Sequence, residues 1–380
     1  MTVGRVDGAE VCVVGAGIMG AATAYYLAKS GHKVRLVERK GILAGGTASQ
    51  SCAGGVRHQG RAACEIPLAL DAIATWVGLE TELEADIGYR RDGMTIVTDD
   101  EKMVPELKKR VALERGLGLG IEMVFGKDLL DLVPGLTPSA LAGAYCSADG
   151  HADPIRTVSA FVRAALRYGV KLDLDCPVLG FKVTENCIKT VRTPRGDIHC
   201  DWVVLTAGAW TPALAASIGL HLPFEPQGLQ MMVTPRYPSA LTQVLGWVGQ
   251  GISLKQVPSG GFVVGGGWPG EVELEGYRTR LLPGSMTKSA RTAVGLFPSL
   301  ASASILRAWV GIEAFSPDNL QAIGPAPTLE NLFLAAGFSG HGFALGPGVG
   351  RLIARYITTG ELPMLFAPFD PNRFSQQKEE

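Results

Sequence analysis

Gly15, Gly17 and Gly20 stand in the spacing G-x-G-x-x-G, directly after the apolar run Val11–Val14. Glycine at the first place allows a sharp turn. At the second it lets the backbone approach a pyrophosphate, and at the third it lets a helix pack closely on the strand. The helix that follows offers free N–H groups and the positive end of its dipole to phosphates. Glu38 closes the next apolar run, Val34–Val37, where a carboxylate can accept both hydroxyls of an adenosine ribose. Together these residues spell a dinucleotide site. Other residues could act on a small molecule. Arg57 carries a planar fork that matches a carboxylate, or pairs structurally with a nearby acidic residue. His58 offers a polar contact or a proton carrier, or is used in the core or at the surface. Lys255 and Gln256 lie on a strand and face either a pocket or solvent. Glu313 can attract a cationic amine; if buried it otherwise needs a partner such as Arg307.

These groups depend on the elements that hold them. Strand, turn, helix ending at Gly31, second strand and Glu38 form a βαβ beginning. The stretch Gly45–Gly55 is a loop of small residues suited to close backbone and hydroxyl contacts with a ligand. A helix is expected from about Glu65 to Ile87, with Ile66, Leu70, Ile73, Val77 and Leu83 near helical period and Gly88 closing it. Thr95–Thr98 reads as a strand, and Glu101–Arg115 as a helix weakened by Pro105. Asp153 and Pro154 read as the N-cap and first residue of a helix that ends at Gly169. Short strands follow near 170–174, 178–184, 188–193 and 202–205, then a helix capped by Thr211-Pro212. Residues 222–310 are rich in strand-like segments, glycine and proline. A strand at Leu332–Ala335, the loop Gly337–Phe343 and a helix from about Pro347 to Thr359 complete the pattern.

The chain has 380 residues, enough for a substantial core in two domains or one large one. Its net charge of −1 argues against nucleic acid as a main partner. The seven cysteines form no C-x-x-C pair and read as reduced thiols, mostly core filler. The six histidines show no metal-ligand spacing, so no metal is expected. The first ten residues carry no apolar leader and no run is long enough to span a membrane, so a cytoplasmic location is expected.

A glycine-rich turn with an acidic ribose ligand suits NAD and FAD alike. The N-terminal position of the motif and a second glycine-rich strand–loop–helix unit at Leu332–Thr359 favour FAD. That unit can aim N–H groups and a dipole end at a flavin, where reduction adds negative charge. In these residues the chain resembles the D-amino-acid-oxidase-type family of FAD oxidoreductases, with glycine oxidase, sarcosine oxidase and the β subunits of opine and proline dehydrogenases. The resemblance runs through Val11–Glu38, Thr47–Arg57, Asp149–Pro154, Val203–Trp210, Trp309–Asp318 and Leu334–Gly350, nearly the whole chain. It implies an α/β fold: a discontinuous Rossmann-type FAD-binding domain, residues 1–87, 147–221 and 306–380. An inserted, mainly antiparallel β-sheet substrate domain occupies residues 88–146 and 222–305.

The resemblance also implies roles. Gly15, Gly17, Ile18, Met19, Gly20, Glu38 and Arg39 hold the ADP half of FAD. Thr47, Ala48, Ser49, Ser51, Gly54 and Gly55 line the pyrophosphate and ribityl chain. Val178 meets adenine through its backbone, while Ala207, Gly208 and Trp210 flank the cofactor. Gly340, His341, Gly342 and Phe343 sit beside the isoalloxazine ring. Arg57, His58 and His341 are the catalytic candidates, and Arg57, Lys255 and Glu313 the substrate candidates. The implied reaction removes hydride from a carbon bearing an amine, and the imine then hydrolyses. The expected partners are an amino acid or secondary amine and an electron acceptor, either oxygen or a partner protein, in a homo- or hetero-oligomer. Relatives with covalent flavin carry a cysteine before the Ser/Thr-Pro-Asp motif. No cysteine lies beyond Cys200 here, so noncovalent FAD is expected. Glycine-oxidase-like members place a carboxylate-binding arginine where this chain has Glu313, which sets the plain glycine-oxidase mode aside.

Overall fold

The computed structural model describes residues 6–42 and 44–378; the expectations that touch residues 1–5, Leu43 and 379–380 lie outside them. The chain begins with β1 (Val6–Val14), α1 (Ile18–Lys29) and β2 (Val34–Val37). β1 and β2 are parallel in register Val11↔Val34 to Val14↔Val37. The side chains of Val11–Val14 and Val34–Val37 are buried, which suits strands covered on both faces. β1 also pairs in parallel with Gly196–Leu205, which pairs in parallel with Leu332–Ala336, while β2 pairs in parallel with Lys171–Asp173. Three distant stretches of sequence thus build one sheet. An antiparallel edge strand, Ala322–Pro325, closes it on one side.

The second sheet is ten-stranded and mainly antiparallel, with one parallel pair between Met94–Thr98 and Val244–Trp247. Its long central strand Glu225–Arg236 pairs with Arg307–Phe315 from Glu225↔Phe315 to Val233↔Arg307. The segment expected to rejoin the nucleotide domain at 306 therefore starts as a strand of the second sheet. This strand carries Glu313. It also reaches the small-residue loop, because Ile312 N donates to Gly46 O at 2.8 Å.

Three local readings change. The helix expected over 65–87 is broken into Ile66–Ala74 and Leu79–Leu83, with Gly78 and Glu84 in the left-handed region at φ 86° and 51°. Trp76 lies in the break, fully buried, with its ring N–H donating to Ala344 O at 2.8 Å. Pro105 does not weaken its helix, which runs Val104–Gly116 with proline in its first turn, where no intrahelical N–H bond is lost. The last helix spans Gly342–Thr359 and holds Pro347 in its interior. Proline removes one backbone bond there. Tight packing offsets the loss: a Cβ added at Gly346 would stand 2.6 Å from Ile18 Cγ1, one at Gly348 2.2 Å from Ala72 Cα, and one at Gly350 2.7 Å from Thr23 N. The helix at 154 matches its reading, with Asp153 accepting from Arg156 N at 3.0 Å.

The contact at Gly350 is with backbone atoms, which cannot swing aside. A Gly350→Val variant is expected to lose about 1–3 kcal/mol of stability, as overpacked cores do. Thermal or urea unfolding measures it, and wild-type stability would contradict the packing argument.

Candidate active site

The glycine-rich turn is fixed by contacts that only glycine tolerates. Gly15 has φ 101°, and a Cβ there would stand 2.7 Å from Thr206 O. A Cβ at Gly20 would stand 1.8 Å from Gly15 O. Gly17 has an ordinary φ of −66°, and its role is space: a Cβ would stand 3.1 Å from Ser49 Oγ. That hydroxyl accepts from Ile18 N at 3.0 Å. Glu38 ties the turn to the end of β2, with Oε2 accepting from Ala16 N at 2.8 Å and Oε1 from Lys40 N at 3.0 Å. Burial raises the Glu38 pKa, and the backbone donors oppose that rise. Gly17 gives α1 no N-cap side chain and its first turn carries no acid; Ser49 holds only Ile18 N, so the rest of this end is left to a ligand.

A cavity of about 550 Å³ starts at this turn. It runs from Glu38, Arg39 and Val178, past Ser49 and Ala207, to Glu313, Gly340 and Phe343. At the near end Trp210 and Tyr277 stack at 4.6 Å with their planes 10° apart. Lys40 Nζ lies 3.8 Å from the Tyr277 ring centre, and Arg39 flanks both rings. At the far end Glu313 Oε1 accepts from Gly340 N at 2.9 Å. Arg307 is not its partner; it lies 5.8 Å over the Trp309 ring. Burial pushes the Glu313 carboxyl up to about 7.

The other candidates stand around this far end without lining the cavity. Arg57 is half-buried and donates to Gln59 O and to Gly60 O at 3.1 Å. Burial first, then Arg61, lowers its pKa to about 10. The Arg61 guanidinium donates to Arg57 O and, at 2.8 Å, to Glu65 Oε1, which meets His341 Nδ1 at 3.0 Å. Burial lowers the His341 pKa to about 4, so its ring is neutral near pH 7. His58 is bound through both N and Nδ1 to Asp149 Oδ1, at 2.6 and 2.7 Å, which fixes the orientation of its ring. Lys255 is buried, not exposed: its Nζ reaches only Ala152 O at 3.4 Å, and burial lowers it to about 8.

A family model described as FAD dependent oxidoreductase matches residues 10–356. The chain belongs to this family. The glycine oxidase of Geobacillus kaustophilus (strain HTA426) is 29% identical, over 96% of this chain and 97% of that protein. The mitochondrial dimethylglycine dehydrogenase of Rattus norvegicus is 28% identical over 97% of this chain, which spans only 45% of that protein's length. Among solved structures, L-proline dehydrogenase from P. horikoshii superposes with a TM-score of 0.91 at 28% identity, covering 98% of this chain and 100% of that one.

FAD is the cofactor of this family, and the cavity suits it. It joins an uncapped helix end, a ribose-ready carboxylate with unused lone pairs and a long channel with few charges. Of the residues expected around FAD, Gly15, Gly17, Ile18, Met19, Glu38, Arg39, Thr47, Ala48, Ser49, Val178, Ala207, Gly208, Trp210, Gly340, Gly342 and Phe343 line the channel. Gly20, Ser51, Gly54, Gly55 and His341 stand behind it. Ser51 supports the wall from behind: its carbonyl accepts from Trp309 Nε1 at 2.9 Å, and Gly311 leaves room for its side chain. Sequence reasoning missed Tyr277 and Cys52, both on the wall. Tyr277 sits at φ 54° in the turn between the strands Pro269–Glu273 and Arg278–Arg280. No motif marks it; only the fold brings this hairpin onto Trp210.

Tyr277→Ala removes a stacked ring and opens the near end of the channel. The variant is expected to release FAD at least tenfold faster than wild type, with Tyr277→Phe close to wild type. Recovery of flavin fluorescence on dilution measures it; equal release rates would remove Tyr277 from the cofactor site.

Proposed function

We propose that this chain oxidises the C–N bond of an amino acid or N-substituted amino acid, with its substrate held between the channel's far end and the second sheet. The supporting observation is Arg57: a half-buried guanidinium whose partners are carbonyl oxygens, with no ion-pairing carboxylate among the described residues. Such a group is prepared for a carboxylate from outside. Glu313, on the channel wall, supplies the opposite charge for the substrate amine. Bound FAD supplies the hydride acceptor. The protein's part is to orient the amine-bearing carbon and exclude water. The similarity to a glycine oxidase, a dimethylglycine dehydrogenase and an L-proline dehydrogenase supports this substrate class.

The seven described cysteines are free, which suits a reducing compartment such as the cytoplasm. Among the described residues no helix is long and apolar enough to cross a membrane. Similarity to a sarcosine oxidase β subunit from Arthrobacter sp supports assembly with partner chains. We take the nucleotide domain to comprise the first sheet with its helices, and the substrate domain to include Arg307–Phe315. FAD is held noncovalently in this reading, so acid precipitation releases the yellow colour into solution; colour kept in the pellet would contradict it.

The deciding experiment is anaerobic reduction of the bound flavin by a panel of primary and N-alkyl amino acids, with 2-hydroxy acids as controls. Bleaching by amines alone is expected, and absence of bleaching by every amine would overturn the proposal. Arg57→Lys keeps a charge but loses the fork. It is expected to cost about 2–3 kcal/mol of substrate binding, roughly a thirtyfold to hundredfold rise in Kd, with FAD content unchanged. Unchanged kinetics across the panel would remove Arg57 from the site.

A further inference from the structure

Glu313 is placed to do more than attract an amine. Its strand lays Ile312, Glu313 and Ala314 along the wall of the channel, and Glu313 is the charged one of the three. Oε1 is anchored on Gly340 N–H at 2.9 Å. Among the described residues Oε2 has no hydrogen-bond partner, and it is not one of the buried atoms left without one, so it opens onto the channel that Glu313 lines. No cation is paired with this carboxylate among the described residues; the Gly340 N–H alone opposes its desolvation. The groups nearest it do not compete for a proton. Cys52, on the same wall, is pushed by burial up to about 12 and stays a thiol. Lys255 also acts on Cys52; its ammonium donates to Ala152 O, and with its pKa lowered by burial to about 8 it still carries its own proton at pH 7. His341, next to Gly340, is held by Glu65 through Nδ1.

We propose that Glu313 takes the proton of the substrate ammonium, an inference that rests on the amine-oxidation reading above. An N–H bond of the ammonium breaks and its electron pair stays on nitrogen. An O–H bond forms on Oε2. A cation and an anion become two neutral groups, which a desolvated channel favours. The neutral amine carries the lone pair that stabilises loss of hydride from its carbon. A carboxylate with the ordinary pKa of about 4.3 would be a poor proton acceptor at neutral pH, whereas burial has raised Glu313 to about 7. Since a raised carboxyl must be ionised to accept a proton, the reaction should gain rate as pH rises through about 7.

The test uses Glu313→Gln, which keeps an acceptor for Gly340 N–H but cannot take a proton. FAD content and the affinity of a carboxylic acid lacking the amine, read from flavin absorbance, should match wild type. Flavin reduction by substrate at pH 7 should be at least tenfold slower, and its pH midpoint should move up toward that of the free substrate ammonium, so that the variant catches up at high pH. Binding of a non-oxidisable amino acid analogue should lose its pH dependence near 7. If wild type is bleached by amines and Glu313→Gln shows the same pH profile, the role of Glu313 is overturned. If no amine bleaches wild type, it is the oxidation reading that falls.

Discussion

The carboxylate of Glu38 is the tie on which the nucleotide end depends. It accepts from Ala16 N in the glycine-rich turn and from Lys40 N just past β2, so one buried group sets the distance between two strand ends. A carboxylate has about four lone-pair positions, and two are used this way. The others are left for ribose hydroxyls. The same residue is therefore both a structural clamp and a ligand contact, and its desolvation is opposed first by backbone donors and last by the charge of Arg39. The turn it holds is in turn locked by Gly15 and Gly20, whose missing side chains let Thr206, the turn and α1 touch. With those contacts set, the uncapped start of α1 has only one place to point.

The far end is organised by paired charges kept off the channel. Arg61 joins the carbonyl of Arg57 to Glu65, and Glu65 joins His341 at the start of the last helix. The arm that carries the substrate candidate Arg57 and the loop that carries Gly340 are thus one hydrogen-bonded unit. Asp149 braces the same arm from below through His58, and Glu114 Oε1 accepts from Gly60 N at 2.8 Å. Buried carboxylates in this position do two things. They pin backbone N–H groups, and they place negative charge near Arg57 without forming an ion pair that would consume it.

The sequence made the nucleotide half legible because its demands are local. A turn needing φ above zero, a helix start and an acid at a strand end all fall within Val11–Glu38, and each restricts residue type. The second half was legible only as glycine and strand-rich, since pairings such as Glu225↔Phe315 span long separations that periodicity does not encode. Pro347 misled for a related reason. Proline reads as a helix start, but the glycines around it let the helix lie against Ile18, Ala72 and Thr23, and that packing outweighs one lost bond. Lys255 read by its strand position as facing either a pocket or solvent, and only the sheet shows it sealed inside. Tyr277 carried no signal, because its use depends on what the second sheet brings against the first, while Cys52 was covered only by the reading of its loop Gly45–Gly55 as a whole.

Where the two sheets meet, charges are left unpaired. Lys255 is lowered to about 8 and Glu313 raised to about 7, both by burial, and Cys52 senses both. His151, buried and repelled by Lys255, is lowered to about 3. A fold selected only for stability would pair these groups or replace them with apolar side chains, since unpaired buried charge destabilises. Paired groups exist, but they stand behind the site, in the Arg61–Glu65 ion pair and the His58–Asp149 hydrogen bond. The molecule thus places its satisfied charges in the support, while the unpaired Glu313 lines the channel and the unpaired Lys255 stands sealed behind it. That division is what a site needs if it is to complete its electrostatics only when a charged small molecule arrives.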